Sequence, residues 1–171
     1  MPTDPHSVLD ASPPSEAREL LNRCCGARRW VEGMLQRLPF GSTAALLCAA
    51  DQVWAELGRE DYLEAFSHHP RIGEDLGALR RRFQNTSQLS AAEQAGVSEG
   101  NEATLNRLRE LNVAYAERFG YIFIVCATGK SAQQMLELLE ARLHNSPARE
   151  LAVAAVEQAK ITRLRLENLA P

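Results

Sequence analysis

The sequence predicts an all-α fold, a single compact domain of about eight helices. Three observations carry this. Apolar residues recur at helical spacing along most of the chain. Helix-starting and helix-stopping residues punctuate those segments. Only one run, Tyr121 to Ala127, reads as a strand, and no second run of that quality exists to pair with it. At 171 residues the chain is long enough for one domain with a real core.

Residues 1–14 contain four prolines and little periodicity, which predicts a loose N-terminal arm ahead of a domain over 15–170. Ser15 is the expected N-cap of a helix through Leu20, Leu21 and Cys24. Gly26 should break it. Trp30, Val31, Met34, Leu35 and Leu38 then form one helical face, ended by Pro39-Phe40-Gly41. Ser42 or Thr43 starts an amphipathic helix bearing Leu46, Leu47, Ala50, Val53, Trp54 and Leu57, stopped at Gly58. A short helix from Arg59 follows, and Pro70 should stop it near His69 because proline disfavours helical geometry in the residue before it.

Residues 74–88 are polar, with an arginine triplet at Arg80 to Arg82 that reads as a charged surface. Ser90 and Glu93 have capping-box spacing, and Gly96 predicts that this helix is short. Asn101 is placed to cap the next one, whose stripe is Leu105, Leu108, Asn112, Tyr115 and Phe119, ending at Gly120. A buried amide at Asn112 must find partners. In a helical domain Tyr121 to Ala127 becomes an extended segment whose backbone groups need partners, either a ligand or neighbouring side chains and water. Ser131 caps a helix bearing Ala132, Met135, Leu139 and Leu143. Ser146-Pro147 opens the last helix, with proline at its first position. Near its end Ile161, Arg165 and Leu169 share one column. A guanidinium there either snorkels to water or points at an anion or carbonyl.

Composition narrows the function classes. The chain is 45% hydrophobic and 24% charged, with net charge -3, so nothing marks it as a nucleic-acid binder. No apolar run approaches a membrane span, and the N-terminus lacks a signal-peptide pattern. Cys24, Cys25, Cys48 and Cys126 form no CxxC pair and no zinc spacing, which suits reduced core thiols in a cytosolic protein. Among candidate chemistry, His69 stands out. It ends a helix on a restricted His-Pro turn, where helix-end carbonyls favour the protonated ring, and histidine titrates nearest neutral pH. Acid–base chemistry needs such a group, although His-Pro also serves simply as a helix stop.

In register along the chain stand His69-Pro70-Arg-Ile-Gly73, Ser90-Ala-Ala-Glu93-Gln94, Asn112-Val-Ala-Tyr115, Phe119 through Lys130, and Lys160-Ile-Thr-Arg-Leu-Arg165-Leu166. Together with Arg29-Trp30 and Leu38-Pro39-Phe40 they resemble the 2-oxo-4-hydroxy-4-carboxy-5-ureidoimidazoline (OHCU) decarboxylases of urate breakdown, from about Ser15 to Leu169. The resemblance implies an all-α enzyme, often a homodimer, that converts OHCU to (S)-allantoin and carbon dioxide with no cofactor and no metal. It carries over His69 as the catalytic histidine; Glu93, read as the second catalytic residue, would orient His69 or hold the substrate's ureido and ring N–H groups. Pro70, Ser90, Ala91, Ala92, Glu93 and Gln94 become pocket residues. Phe123, Ile124, Val125, Cys126 and Ala127 become main chain lining the substrate, and Arg165 becomes the arginine of the last helix. His68 reads as a spectator. The chain ends Leu-Ala-Pro rather than in a peroxisomal tripeptide, which points to the cytoplasm. An association with 5-hydroxyisourate hydrolase, the enzyme that makes OHCU, is expected only from the pathway. Two other classes stay in view. One is a non-catalytic helical binding module docking through Arg80 to Arg82. The other is a metal-dependent hydrolase using His68, His69, Glu74 and His144, although adjacent histidines on a helix diverge by about 100°.

Overall fold

The structure, a computed structural model, describes residues 3–70 and 91–170; within 91–101 only the helical backbone is described. Eight helices account for the regular structure among these residues, and no strand occurs among them. They are α1 (Pro5–Ala11), α2 (Pro14–Cys24), α3 (Arg28–Leu35), α4 (Thr43–Ala55), α5 (Arg59–Ser67), α6 (Ala91–Phe119), α7 (Ala132–Arg142) and α8 (Pro147–Glu167). The described residues divide into two compact units. One holds the chain up to His69, Ile124–Cys126 and the chain from Leu151 onward; the other holds the described residues from Pro70 to Phe123 and Ala127–Glu150.

The first unit packs α1 to α5 and most of α8 around Leu9, Leu21, Trp30, Met34, Leu46 and Leu166. Residues 5–11, expected within a loose arm, instead form α1 and bury Val8 and Leu9. The reason is visible in the polar contacts. Asp10 accepts hydrogen bonds from the backbone N–H groups of Phe40 (2.8 Å) and Gly41 (2.9 Å), tying α1 to the α3–α4 turn. Ser42 is the N-cap of α4, accepting from the Ala45 N–H at 3.1 Å. Gly58 opens α5, its N–H held by Asp61 at 3.1 Å. The two indoles donate to main-chain carbonyls, Trp30 to Ala50 (3.2 Å) and Trp54 to Ala155 (3.0 Å). The second of these fixes α8 against α4.

The second unit is built on α6 and α7 with the first turn of α8. α6 runs unbroken through Gly96 and Asn101, where the sequence suggested two helices. A glycine inside a helix costs only about 1 kcal/mol, which flanking helix formers outweigh. Asn112 is half-buried and settles its amide on the Leu108 carbonyl at 2.8 Å. The polar centre of this unit is Glu150, fully buried in the first turn of α8. Its carboxylate accepts from the Tyr115 hydroxyl (2.5 Å), Arg142 Nε (2.7 Å) and the Asn145 amide (2.9 Å). Burial, then the bond to Glu150, push the Tyr115 hydroxyl far above its ordinary pKa, so it stays a donor. Ser131 caps α7 in a capping box with Gln134, as its sequence position predicts.

Candidate active site

α5 ends at Ser67, with His68 as its C-cap, so the helix does stop at the His-Pro corner. His69 leaves the helix half-buried, and its Nε2 lies 2.5 Å from Oε1 of Gln158 on α8. Gln158 is fully buried and donates through Nε2 to the Thr162 hydroxyl at 3.1 Å. Thr162 in turn meets the buried thiol of Cys25, which burial pushes up to about 11. A continuous buried polar chain thus runs from His69 through Gln158 and Thr162 to Cys25.

The protonation of His69 departs from expectation. Helix-end carbonyls were expected to favour the charged ring, yet its pKa is lowered. Burial is the main cause; the bond to Gln158 opposes it, and the positive charges of Arg165 and His68 add to the lowering. Desolvation of a half-buried imidazole outweighs a helix-terminus effect that is worth only about 0.3–1 kcal/mol at an accessible site. Burial thus favours the neutral imidazole, the form that can accept a proton.

Arg165 is exposed overall, and its guanidinium donates to the Arg23 and Cys24 carbonyls at 3.4 and 3.3 Å. Of the two sequence-based options, the arginine therefore meets carbonyls, those at the C-terminal end of α2, while its charge still reaches His69. Residues 121–127 form neither helix nor strand. Within the first unit Ile124, Val125 and Cys126 are buried, and the Cys126 N–H donates to the Glu157 carboxylate at 2.7 Å. That is one of the blander partners foreseen for this backbone, a neighbouring side chain. Glu157 and Gln158, adjacent on α8, hold the Cys126 backbone and the His69 ring respectively. Neither residue was singled out from the sequence. A signal existed for Gln158: Ala154, Gln158, Thr162 and Leu166 form one buried column at spacing four, and two of its members are polar.

In the second unit Phe123 is buried, with the Arg142 guanidinium over its ring at 4.5 Å and Tyr115 edge-on at 5.3 Å. Ala127 is half-buried and Pro70 exposed. Ala91 and Ala92 open α6. Glu93 and Gln94 follow in the same first turns, with side chains outside the described residues. Ser90, Glu74 and Arg80 to Arg82 also lie outside them. His68 packs directly on Gly26. A Cβ at position 26 would come within 2.4 Å of the His68 ring, so the extra histidine has a structural neighbour that requires glycine. Among the described residues no group of three His, Cys, Asp or Glu side chains could hold a metal ion. No described helix is long and apolar enough to cross a membrane.

An all-α domain that anchors a half-buried histidine at a His-Pro helix end, within the electrostatic reach of an arginine, is the class of protein that the fold and these residues define. Residues 10–167 match the OHCU decarboxylase family model, and the chain belongs to that family. It is 38% identical over 148 residues to the uric acid degradation bifunctional protein TTL of Arabidopsis thaliana, a match covering 85% of this chain and 45% of that one. It is 34% identical over 102 residues to the 2-oxo-4-hydroxy-4-carboxy-5-ureidoimidazoline decarboxylase of Amia calva, covering 59% and 57%. The chain thus spans about half the length of these curated relatives. A solved OHCU decarboxylase, crystallised in the presence of (S)-allantoin, superposes with TM-score 0.71 at 35% identity, covering 89% of this chain and 96% of that one.

Proposed function

We propose that this chain decarboxylates OHCU to (S)-allantoin in urate catabolism, with His69 as the proton-transfer residue. The observation that carries the reading is the half-buried His69 ring anchored by Gln158, with its pKa lowered by burial, in a chain of this family. In the reaction the bond to the carboxylate breaks and carbon dioxide leaves. The electron pair left behind passes into the neighbouring imine C=N, so the sink is in the substrate itself. The protein orients the ring, moves a proton and protonates one face. His69 exchanges a proton with the substrate's hydroxyl or the developing enol. Glu93 is the second catalytic residue of this reading, a carboxylate for the substrate's ureido and ring N–H groups. Arg165 supplies a permanent positive charge for the substrate's carboxylate or carbonyl oxygens. Pro70, Ser90, Ala91, Ala92 and Gln94 are the further substrate-binding residues of this reading, and the main chain from Phe123 to Ala127 supplies donors and acceptors. This reading includes a cytoplasmic homodimer and an association with 5-hydroxyisourate hydrolase, both open to light scattering and co-purification.

The test is decarboxylation of freshly generated OHCU, followed as (S)-allantoin by circular dichroism without added metal, in wild type and His69→Ala. The expected result is fast (S)-allantoin formation that His69→Ala reduces to the spontaneous rate. Wild-type protein no faster than buffer would refute the activity. A fully active His69→Ala variant would keep the activity and remove His69 from the proton transfer.

A further inference from the structure

We propose that Gln158 is a positioning residue that locks His69 as its Nε2–H tautomer and thereby assigns the proton transfer to Nδ1. The inference rests on the decarboxylase reading for its kinetic consequence, though not for its structural content.

The argument starts from burial. Gln158 is 0% exposed, and a buried amide must satisfy both its ends. One end meets Thr162, one turn along α8, and the other meets His69. The Thr162 hydroxyl gives its hydrogen to the Cys25 sulfur, a bond that opposes the rise in that thiol's pKa. The Thr162 oxygen is then left to accept, and the donor facing it is the Gln158 Nε2 at 3.1 Å. The amide oxygen consequently faces His69 at 2.5 Å, and an oxygen can only accept. The ring must present Nε2–H, which leaves the lone pair of the neutral imidazole on Nδ1. The charged groups that reach the ring are Arg165 from α8 and the adjacent His68; both favour the neutral form, so the tautomer is the state that works. A histidine's reactive nitrogen is set by the bond the other nitrogen makes. The column of Ala154, Gln158, Thr162 and Leu166 supplies that bond from a rigid helix rather than from a loop.

The test uses 15N-labelled full-length protein. The His69 ring nitrogens are assigned by comparison with His69→Ala, and the tautomer is read from their two-bond proton correlations. Wild type is expected to show a protonated Nε2 and an unprotonated Nδ1. Gln158→Leu and Thr162→Val should each give mixed tautomers. In Gln158→Leu kcat should fall about 10²-fold with KM near wild type, the loss expected from misplacing a reacting group by about 1 Å. Gln158→Glu should keep Nε2–H and most of kcat. Its acid limb should move to higher pH, because a carboxylate stabilises the imidazolium. A wild-type Nδ1–H tautomer would overturn the proposal, as would a Gln158→Leu protein with wild-type tautomer and kcat. Should Gln158→Leu fail to fold, an unmoved His69 titration in Gln158→Glu overturns it equally. Failure of the activity itself appears separately, as wild type that does not decarboxylate OHCU, while the ring spectrum still decides what Gln158 does.

Discussion

Gly26→Ala perturbs the His-Pro corner without touching any group proposed to do chemistry. The new Cβ would stand 2.4 Å from two His68 ring carbons and 2.9 Å from the His68 Cβ. Carbon atoms rest at about 3.5–4.0 Å. The ring can swing away by rotating about its first side-chain bond, since His68 is exposed. Its Cβ cannot: reaching 3.5 Å from 2.9 Å requires the His68 backbone to move by about 0.6 Å. Overpacking of this kind costs about 1–3 kcal/mol, offset by about 0.4–1 kcal/mol from the stiffer unfolded chain. A net loss of about 1–2 kcal/mol lowers a urea midpoint by about 0.5–1 M at a slope of about 2 kcal/mol/M. The displacement passes through one peptide to His69. If about 1 Å of misplacement costs about 10²-fold, about half of that costs about tenfold in kcat. The assays are urea unfolding and OHCU decarboxylation on the same preparation. A Gly26→Ala protein with wild-type midpoint and wild-type kcat would show that His68 yields freely and that the corner is not held by this contact.

The acid limb of kcat/KM should lie below about pH 6.5, the ordinary histidine value, because the folded His69 pKa is lowered. Arg165→Gln, which removes a charge that contributes to the lowering, should move the limb up. The same shift gives a linkage. A group with a depressed folded pKa adds stability that is present above about pH 6.5 and is lost as pH falls through the folded value. The acid loss in urea midpoint should shrink in His69→Ala. Glu150→Ala should cost about 3–5 kcal/mol by thermal unfolding, since it takes the carboxylate from a buried Arg142 and from the Tyr115 hydroxyl.

Much of the scaffold was legible because its signals are local. Ser42, Ser131 and Pro147 act where their chemistry places them, and Pro70 ends α5 at the histidine. Long-range effects were the illegible ones. α1 forms because Asp10 finds N–H groups some thirty residues away, which no window around Pro5 reveals. α6 runs through Gly96 and Gly100 because two glycines, at about 1 kcal/mol each, do not break a helix of this length. The charge state of His69 turned on burial, a tertiary property, and the local helix-end argument pointed the other way. Arg165 was visible as an anomaly in its column, and its carbonyl partners at the end of α2 were not. Gln158 and Glu157 sit in no motif, and the ring and backbone they hold, His69 and Cys126, lie far from them in sequence.

Both tryptophans of the chain, Trp30 and Trp54, are buried in the unit that contains His69, and Trp54 lies 4.7 Å from the ring of Tyr62. The other unit contains no indole and carries Tyr115 and Tyr121 instead. Red-edge excited emission therefore watches the histidine's scaffold alone, with no engineered label. Trp54 adds a finer gauge: its N–H is spent on the Ala155 carbonyl, three residues before Gln158. Any event that shifts this part of α8 changes the polarity around an indole, so disturbance of the helix that holds His69 is recorded as a colour change.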